Sequence, residues 1–266
     1  MEKILFPVLL VAGIGLILGL ILAVVSIVMA APKNEKLEKL VDILPGANCG
    51  ACGFSGCSGY ASALAEGKAK PNLCSVGGKG TAEKISKILG IRVSSSDERT
   101  AVVKCTGNCS NTEKCMEYNG IDSCLAASKL CKTNGKCTYG CIGFGDCVKA
   151  CPFNAISICN GIAVVDSEKC KACGKCVATC PQHIIKIRTL AEDKAFVYCS
   201  NNNSGANTRK ACNAGCISCM RCVKECPMEA IKIENNLACV DASKCIGCGR
   251  CTKVCKPGCI KLIKSM

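Results

Sequence analysis

Cysteine carries the chemistry of this chain. Four runs stand out: Cys137, Cys141, Cys147 and Cys151; Cys170, Cys173, Cys176 and Cys180; Cys216, Cys219, Cys222 and Cys226; and Cys245, Cys248, Cys251 and Cys255. The last three read C-x2-C-x2-C-x3-C, and Pro152, Pro181 and Pro227 follow the fourth cysteine of three of the four runs. Three thiolates two residues apart on one loop reach different irons of a compact iron–sulfur cube, while the fourth corner is met from elsewhere in the chain. A proline after the fourth cysteine turns the backbone away. The chemistry implied is single-electron transfer through 4Fe-4S clusters.

An internal repeat points the same way. Cys147 and Cys176, Cys151 and Cys180, Cys222 and Cys251, and Cys226 and Cys255 are each 29 positions apart. Two runs make one two-cluster unit of the bacterial ferredoxin type, in which the fourth cysteine of each run serves the other cluster. Crossing the ligands gives Cys137, Cys141, Cys147 with Cys180; Cys151 with Cys170, Cys173, Cys176; Cys216, Cys219, Cys222 with Cys255; and Cys226 with Cys245, Cys248, Cys251. The first run, CTYGCIGFGDCVKACP, departs from the pattern, with x3 and x5 where x2 and x2 are expected. The short segments Ala155-Ile156 and Ala230-Ile231 are followed by apolar stretches such as Ile162 to Val165, which read as the short strands of these units.

A fifth site lies upstream. Cys49, Cys52, Cys57 and Cys74 stand as C-x2-C-x4-C-x16-C, with glycines at 46, 50, 53, 56 and 59 that let backbone N–H groups approach sulfur. Ser58 to Gly67 is helical in pattern. Zinc is the alternative for any C-x2-C pair, but structural zinc joins two pairs across a longer spacer. A disulfide scaffold is the other alternative, raised by 30 cysteines in 266 residues. It conflicts with the reducing compartment argued below.

Five clusters leave Cys105, Cys109, Cys115, Cys124, Cys131, Cys159, Cys199, Cys212, Cys239 and Cys259. Cys105, Cys109, Cys115 and Cys124 fall within twenty residues, so a sixth cluster there competes with buried free thiols. Cys199 with Cys212 is a weaker candidate pair.

The elements that position these loops follow. Ile4 to Ala31 holds no charge and, at about 1.5 Å per residue, is long enough to span a bilayer. Residues 1–31 are read as one transmembrane anchor, too long for the h-region of a signal peptide. Lys33, Lys36 and Lys39 against Lys3 put the bulk on the cytoplasmic side. Gly15 and Gly19 make a G-x-x-x-G pair for a partner helix. Residues 32–78 form a small 4Fe-4S domain, 79–136 a linker domain, 137–190 the first ferredoxin unit and 191–266 the second. In the linker, Thr81 to Leu89 reads as a helix with Thr81 as N-cap, VSSSDERT as loop and Ala101 to Lys104 as a strand. The fold class is α+β: one transmembrane helix, a small iron–sulfur domain and two tandem two-cluster units.

The formal charge is +14. Each oxidised four-thiolate cluster adds about −2, which leaves roughly +4 for five clusters. The basicity is therefore mostly counter-charge, and with four Tyr, five Phe and no Trp the chain has little to stack on nucleic-acid bases. The lone His183 and the carboxylates Asp146 and Asp166 read as solvated loop residues, and no catalytic residue is assigned.

An anchor helix, then CGACGFSGC with a distant cysteine, then YGCIGFGDCVKACPFNAI and further repeats, resembles the B subunit of the Rnf complex over the whole chain. The resemblance implies a component of the cell membrane, single-pass and facing the cytoplasm, in an ion-translocating ferredoxin:NAD+ oxidoreductase. It implies soluble ferredoxin as donor and other Rnf membrane subunits as partners. The alternative it carries is a membrane-bound donor that keeps a redox-sensing regulator reduced. No soluble G-x-G-x-x-G is present, so NAD+ is expected on another subunit.

Overall fold

The computed structural model describes residues 2–28, 35–91, 99–190 and 194–263, and in the first helix the side chains at 10 and 12–25 only. The chain divides into two compact units, 1–39 and 40–266. The first holds helix α1 (Glu2–Val28) and most of α2 (Glu35–Ile43), where Glu35 and Lys39 pair one turn apart. Every described side chain of α1 is exposed, Leu16 and Leu22 by about two thirds. Among the described residues no helix is long and apolar enough to cross a membrane. Lys33, used above for orientation, lies outside them.

The second unit begins with α3 (Cys57–Ala65) and α4 (Gly78–Leu89). The second helix starts three residues before the expected cap. Gly77 is the N-cap in place of Thr81, with no side-chain cap hydrogen bond, and its N–H donates to Cys74 Sγ at 3.3 Å, which ties the start of the helix to a cysteine of the fifth site. Gly90, left-handed at φ 67°, ends it after Leu89, the expected last residue. Most of the loop expected over 93–100 lies outside the described residues, and its last two residues, Arg99 and Thr100, are strand.

The remainder is β1 (Arg99–Val103), α5 (Cys124–Cys131), α6 (Asp146–Lys149), β2 (Ile156–Cys159), β3 (Ile162–Val165), α7 (Lys175–Thr179) and β4 (Ile185–Thr189). Then follow β5 (Lys194–Val197), α8 (Gly205–Ala211), α9 (Arg221–Lys224), β6 (Ile231–Glu234), β7 (Leu237–Val240), α10 (Arg250–Val254) and β8 (Ile260–Ile263). Each ferredoxin unit is two antiparallel ladders: β1 with β4 and β2 with β3 in the first, β5 with β8 and β6 with β7 in the second. The hairpins close on Asn160-Gly161 and Asn235-Asn236, all four at positive φ, the turn that matches strand twist. The expected Ile162–Val165 strand is found with those bounds.

Sequence pattern assigns β1 to the linker, and the structure moves it into the first ferredoxin unit. It is the outer partner of β4, in register from Arg99 against Thr189 to Val103 against Ile185, and Ala101 and Val103 lie in the first unit's core. The linker therefore supplies a strand that the unit cannot close without. Each core is built around thiols: Cys147 and Cys176 with Ile156 and Ile185 in the first unit, Cys222 and Cys251 with Ile231 and Ile260 in the second. The apolar residues of these small units make one layer around the sulfur.

Candidate metal centres

The cysteines are set by a short structural word used four times. A loop carries the first cysteines, a left-handed residue (Gly145, Gly174, Met220 or Gly249) opens a one-turn helix, and the third cysteine sits buried in that helix. The fourth cysteine follows, and three residues later the backbone is left-handed again, at Asn154, His183, Glu229 and Gly258. After Cys151 and Cys226 this turn aims the N–H of Ala155 and Ala230 back at the sulfur, both at 3.4 Å. Asp166 and Asp241 brace the loop ahead of the next run. Their carboxylates accept from Glu168 and Ser243 N–H, and their carbonyls from Cys170 and Cys245 N–H. Asp166 is thus a turn brace. His183 is exposed, as expected.

The crossed sets expected from the repeat converge in three of four cases. Cys151, Cys170, Cys173 and Cys176 line one cavity of about 10 Å³, and Cys226, Cys245, Cys248 and Cys251 another of about 20 Å³. Burial, then Cys170, Cys173 and Cys151 beside it, push Cys176 up to about 11. Burial, then Cys216, Cys255 and Cys219, do the same to Cys222. Of the upstream four, Cys74 has Cys57 and Cys49 adjacent, and burial first, offset in part by Gly77 N–H, raises its thiol, while Cys52 and Cys74 both lie near Tyr60. There Tyr60 Oη donates to Lys70 O at 2.6 Å and accepts from Leu73 N–H at 3.3 Å, tying α3 to the segment that brings Cys74 back.

The fourth set differs from the expectation. Cys141, Cys147 and Cys180 line a cavity of about 20 Å³ with Cys124, not with Cys137. Burial, and after it the thiols of Cys124 and Cys180, push Cys147 up to about 11. Cys124 arrives at the N-terminus of α5, whose N-cap Ser123 donates to Asp146 Oδ2 at 2.8 Å while Leu125 N–H donates to the same oxygen at 3.0 Å. Asp146 therefore clamps α5 onto α6, which carries Cys147; it is not a solvated loop residue. Its carboxyl is lowered although burial opposes the shift, because Leu125 N–H and Ser123 Oγ hydrogen-bond to it.

A second repeat in the sequence accounts for the exchange. Cys141, Cys147, Cys151, Cys170, Cys173, Cys176 and Cys180 recur at Cys216, Cys222, Cys226, Cys245, Cys248, Cys251 and Cys255, always 75 positions on. In that alignment Phe144 stands where the second unit has Cys219, and Cys137 matches Cys212, ahead of the run. The first unit has phenylalanine in place of its second loop cysteine, and Cys124 from α5 lines the cavity with the cysteines that remain.

The thiols sort by hydrogen-bond sense. Sulfurs of Cys74, Cys151, Cys170 and Cys226 accept from backbone N–H at 3.3–3.4 Å. Outside the sets, Cys115 donates to Asn134 O and Cys131 to Ala127 O. A thiolate can only accept, so the first group is prepared for a cation and the second is not. Buried thiols that raise one another's pKa ionise together only against positive charge placed among them. Four thiols spread around a void with N–H donors at their sulfurs fit a four-iron cluster.

Comparison with known proteins agrees. Residues 44–76 match the family described as "Putative Fe-S cluster", residues 163–186 a 4Fe-4S binding domain and residues 215–259 a 4Fe-4S dicluster domain. The chain is 41% identical over 86% of its length to the B subunit of the proton-translocating ferredoxin:NAD(+) oxidoreductase complex of Clostridium ljungdahlii, covering 81% of it. It is 38% identical over 92% of its length to the B subunit of the Na(+)-translocating complex of Acetobacterium woodii, covering 73%. It is also 38% identical over 77% of its length to the B subunit of the ion-translocating oxidoreductase complex of Methanosarcina acetivorans, covering 78%. The chain belongs to this family, the electron-transferring, 4Fe-4S-bearing B subunits of ion-translocating ferredoxin:NAD(+) oxidoreductase complexes.

Proposed function

We propose that this protein is a non-catalytic relay that takes electrons from reduced soluble ferredoxin and passes them to partner subunits at the cell membrane. The observation that carries the reading is the interlock. In each ferredoxin unit, three cysteines of one set come with the fourth cysteine of the other run, an arrangement that holds two one-electron centres side by side. Five sets of four thiolates are assigned: Cys49, Cys52, Cys57, Cys74; Cys124, Cys141, Cys147, Cys180; Cys151, Cys170, Cys173, Cys176; Cys216, Cys219, Cys222, Cys255; and Cys226, Cys245, Cys248, Cys251. When bound, the clusters supply reversible one-electron chemistry at potentials set by burial, charge and hydrogen bonds to sulfur. The protein's part is to hold the thiolates, aim N–H groups at them and exclude water.

The membrane attachment belongs to the same proposal. α1 leaves its described apolar side chains uncovered, and a patch of that kind on a soluble chain marks a surface that lipid or another helix covers. It anchors the protein with its clusters facing the cytoplasm.

The test is direct. Full-length protein purified without oxygen is mixed with reduced ferredoxin, and its visible iron–sulfur absorbance is followed. Bleaching within the mixing time, with iron and acid-labile sulfide in equal amounts, is expected. Zinc without sulfide, or a spectrum unchanged by ferredoxin but bleached by dithionite, overturns the reading.

A further inference from the structure

A cavity of about 30 Å³ is lined by Cys141 of the first unit's set and by four cysteines outside the five sets, Cys105, Cys137, Cys199 and Cys212. Voids beyond the size of a water are few in packed interiors. Three others here, at about 10–20 Å³, are lined by cysteine sets already described.

The four come as two matched pairs, one pair from each ferredoxin unit. Cys105 lies two residues past β1 and Cys199 two residues past β5, the strands that open the units. Cys137 begins CTYGC and Cys212 begins CNAGC, 75 positions apart, and each leads directly into the first cysteine of its unit. The sulfurs carry the same mark as those of the five sets. Cys105 accepts from Gly107 N–H and Cys199 from Cys216 N–H, both at 3.4 Å. Cys137 accepts from Asn201 Nδ2 at 3.5 Å, and Asn201 is 1% exposed, so that amide has no water to turn to. A Cβ on Gly107 would stand 3.4 Å from Cys212 Sγ and 3.5 Å from Cys105 Sγ, so this loop is closed over the thiols. By contrast, Cys109 and Cys115, which chain proximity groups with Cys105, are exposed.

We propose that Cys105, Cys137, Cys199 and Cys212 hold a sixth 4Fe-4S cluster at the junction of the two ferredoxin units, two thiolates from each. The inference rests on the relay function proposed for the protein and extends it. Cys216 N–H donates to Cys199 Sγ, and Cys141 N–H hydrogen-bonds to Cys105, so the site touches one set in each unit, through Cys141 and Cys216. It gives the relay a step between units that otherwise hold separate pairs.

The test is iron and acid-labile sulfide per chain in anaerobically purified full-length protein, wild type and variants. Wild type is expected to hold about 24 of each, and Cys137→Ala and Cys212→Ala each about 4 fewer. The Cys137→Ala/Cys212→Ala double variant is expected to lose no more than either single one, whereas Cys124→Ala/Cys137→Ala loses about 8. A wild-type content of about 20, with or without a bound zinc, overturns the proposal even if the variants fail to fold. So does a Cys137→Ala/Cys212→Ala double variant that loses about 8, because the two residues then serve different clusters. Absence of sulfide throughout would instead overturn the relay function itself.

Discussion

At the scale of single residues, Phe144 stands where the second unit has Cys219, and Cys124 lines the first unit's cavity. Phe144 is half-buried against Tyr118 at a ring separation of 5.3 Å, inside the small apolar cluster that holds Cys124 and Ala127. Cys124→Ala is expected to cost about four iron per chain, and Phe144→Cys in the same chain is expected to restore them by rebuilding C-x2-C-x2-C. Iron that stays in Cys124→Ala would remove Cys124 from the site. Cys259 shows a second residue-level effect. It is 1% exposed, occupies the place of Ile184 in the first unit, and its Sγ lies 3.6 Å from Cys255 Sγ. Its thiol hydrogen-bonds to Cys216 and Cys255 and, acting against burial, lowers both while its own proton is held tightly. A donor at a ligand sulfur favours the reduced, more negative cluster. Cys259→Ile is therefore expected to move one reduction potential to a more negative value in an EPR-monitored titration, with iron content unchanged; an unmoved set of potentials would show that the contact does not tune.

At the scale of elements, each cysteine run depends on a cap or turn whose chemistry is local. Asp146 joins α5 to α6 through two hydrogen bonds at α5's first turn, and Asp146→Ala is expected to lower stability by about 0.5–1 kcal/mol, the loss of a cap in partly solvated surroundings. Because the folded carboxyl is held below its ordinary value, its contribution is complete above the unfolded pKa and vanishes as pH falls through the folded one. The difference in thermal unfolding between wild type and variant should thus be constant from pH 8 to about pH 5. A difference that shrinks within that range would mean the stability comes from another group. Gly143 is a stricter case: φ is +92°, and a Cβ there would stand 2.6 Å from Gly161 O. Gly143→Ala is expected to destabilise the first unit by about 1–3 kcal/mol, read as faster loss of iron to a chelator than in wild type.

At the scale of the whole molecule, the sulfur sets stand where a larger domain would have a hydrophobic core. The short helices and two-stranded ladders carry too little apolar surface to hold themselves together, so cluster binding and folding are one process. Removing iron with a chelator under oxidising conditions is expected to abolish the β-sheet and helix signals of 99–263 in circular dichroism and NMR dispersion; a compact apo form would refute that coupling. The anchor has its own test. The chain expressed without partner subunits should sediment with membranes, and deletion of residues 1–34 should release it with its iron intact. Membrane retention of the deleted form would assign the attachment to another surface.

Much of this was legible in the chain. The cubane chemistry, the crossing of the fourth cysteines and the two-unit repeat follow from local spacing, because a loop of three close thiolates and a turn after the fourth encode their own geometry in consecutive residues. The upstream set was legible for the same reason, with its glycines at positive φ in Gly46, Gly50 and Gly53. What local spacing could not supply was partnership between segments distant in the chain. Cys137 sits four residues before Cys141 and reads as part of that run, yet the backbone carries it to Cys212, 75 residues on, while Cys124, from a helix, lines the cavity of Cys141, Cys147 and Cys180. Equally, Arg99–Val103 became part of the first unit only through its ladder with β4. The types of residue determine what a site can bind, but four thiols become a site only when folding brings their loops to one void, and here that was decided by the pairing of strands and the capping of α5.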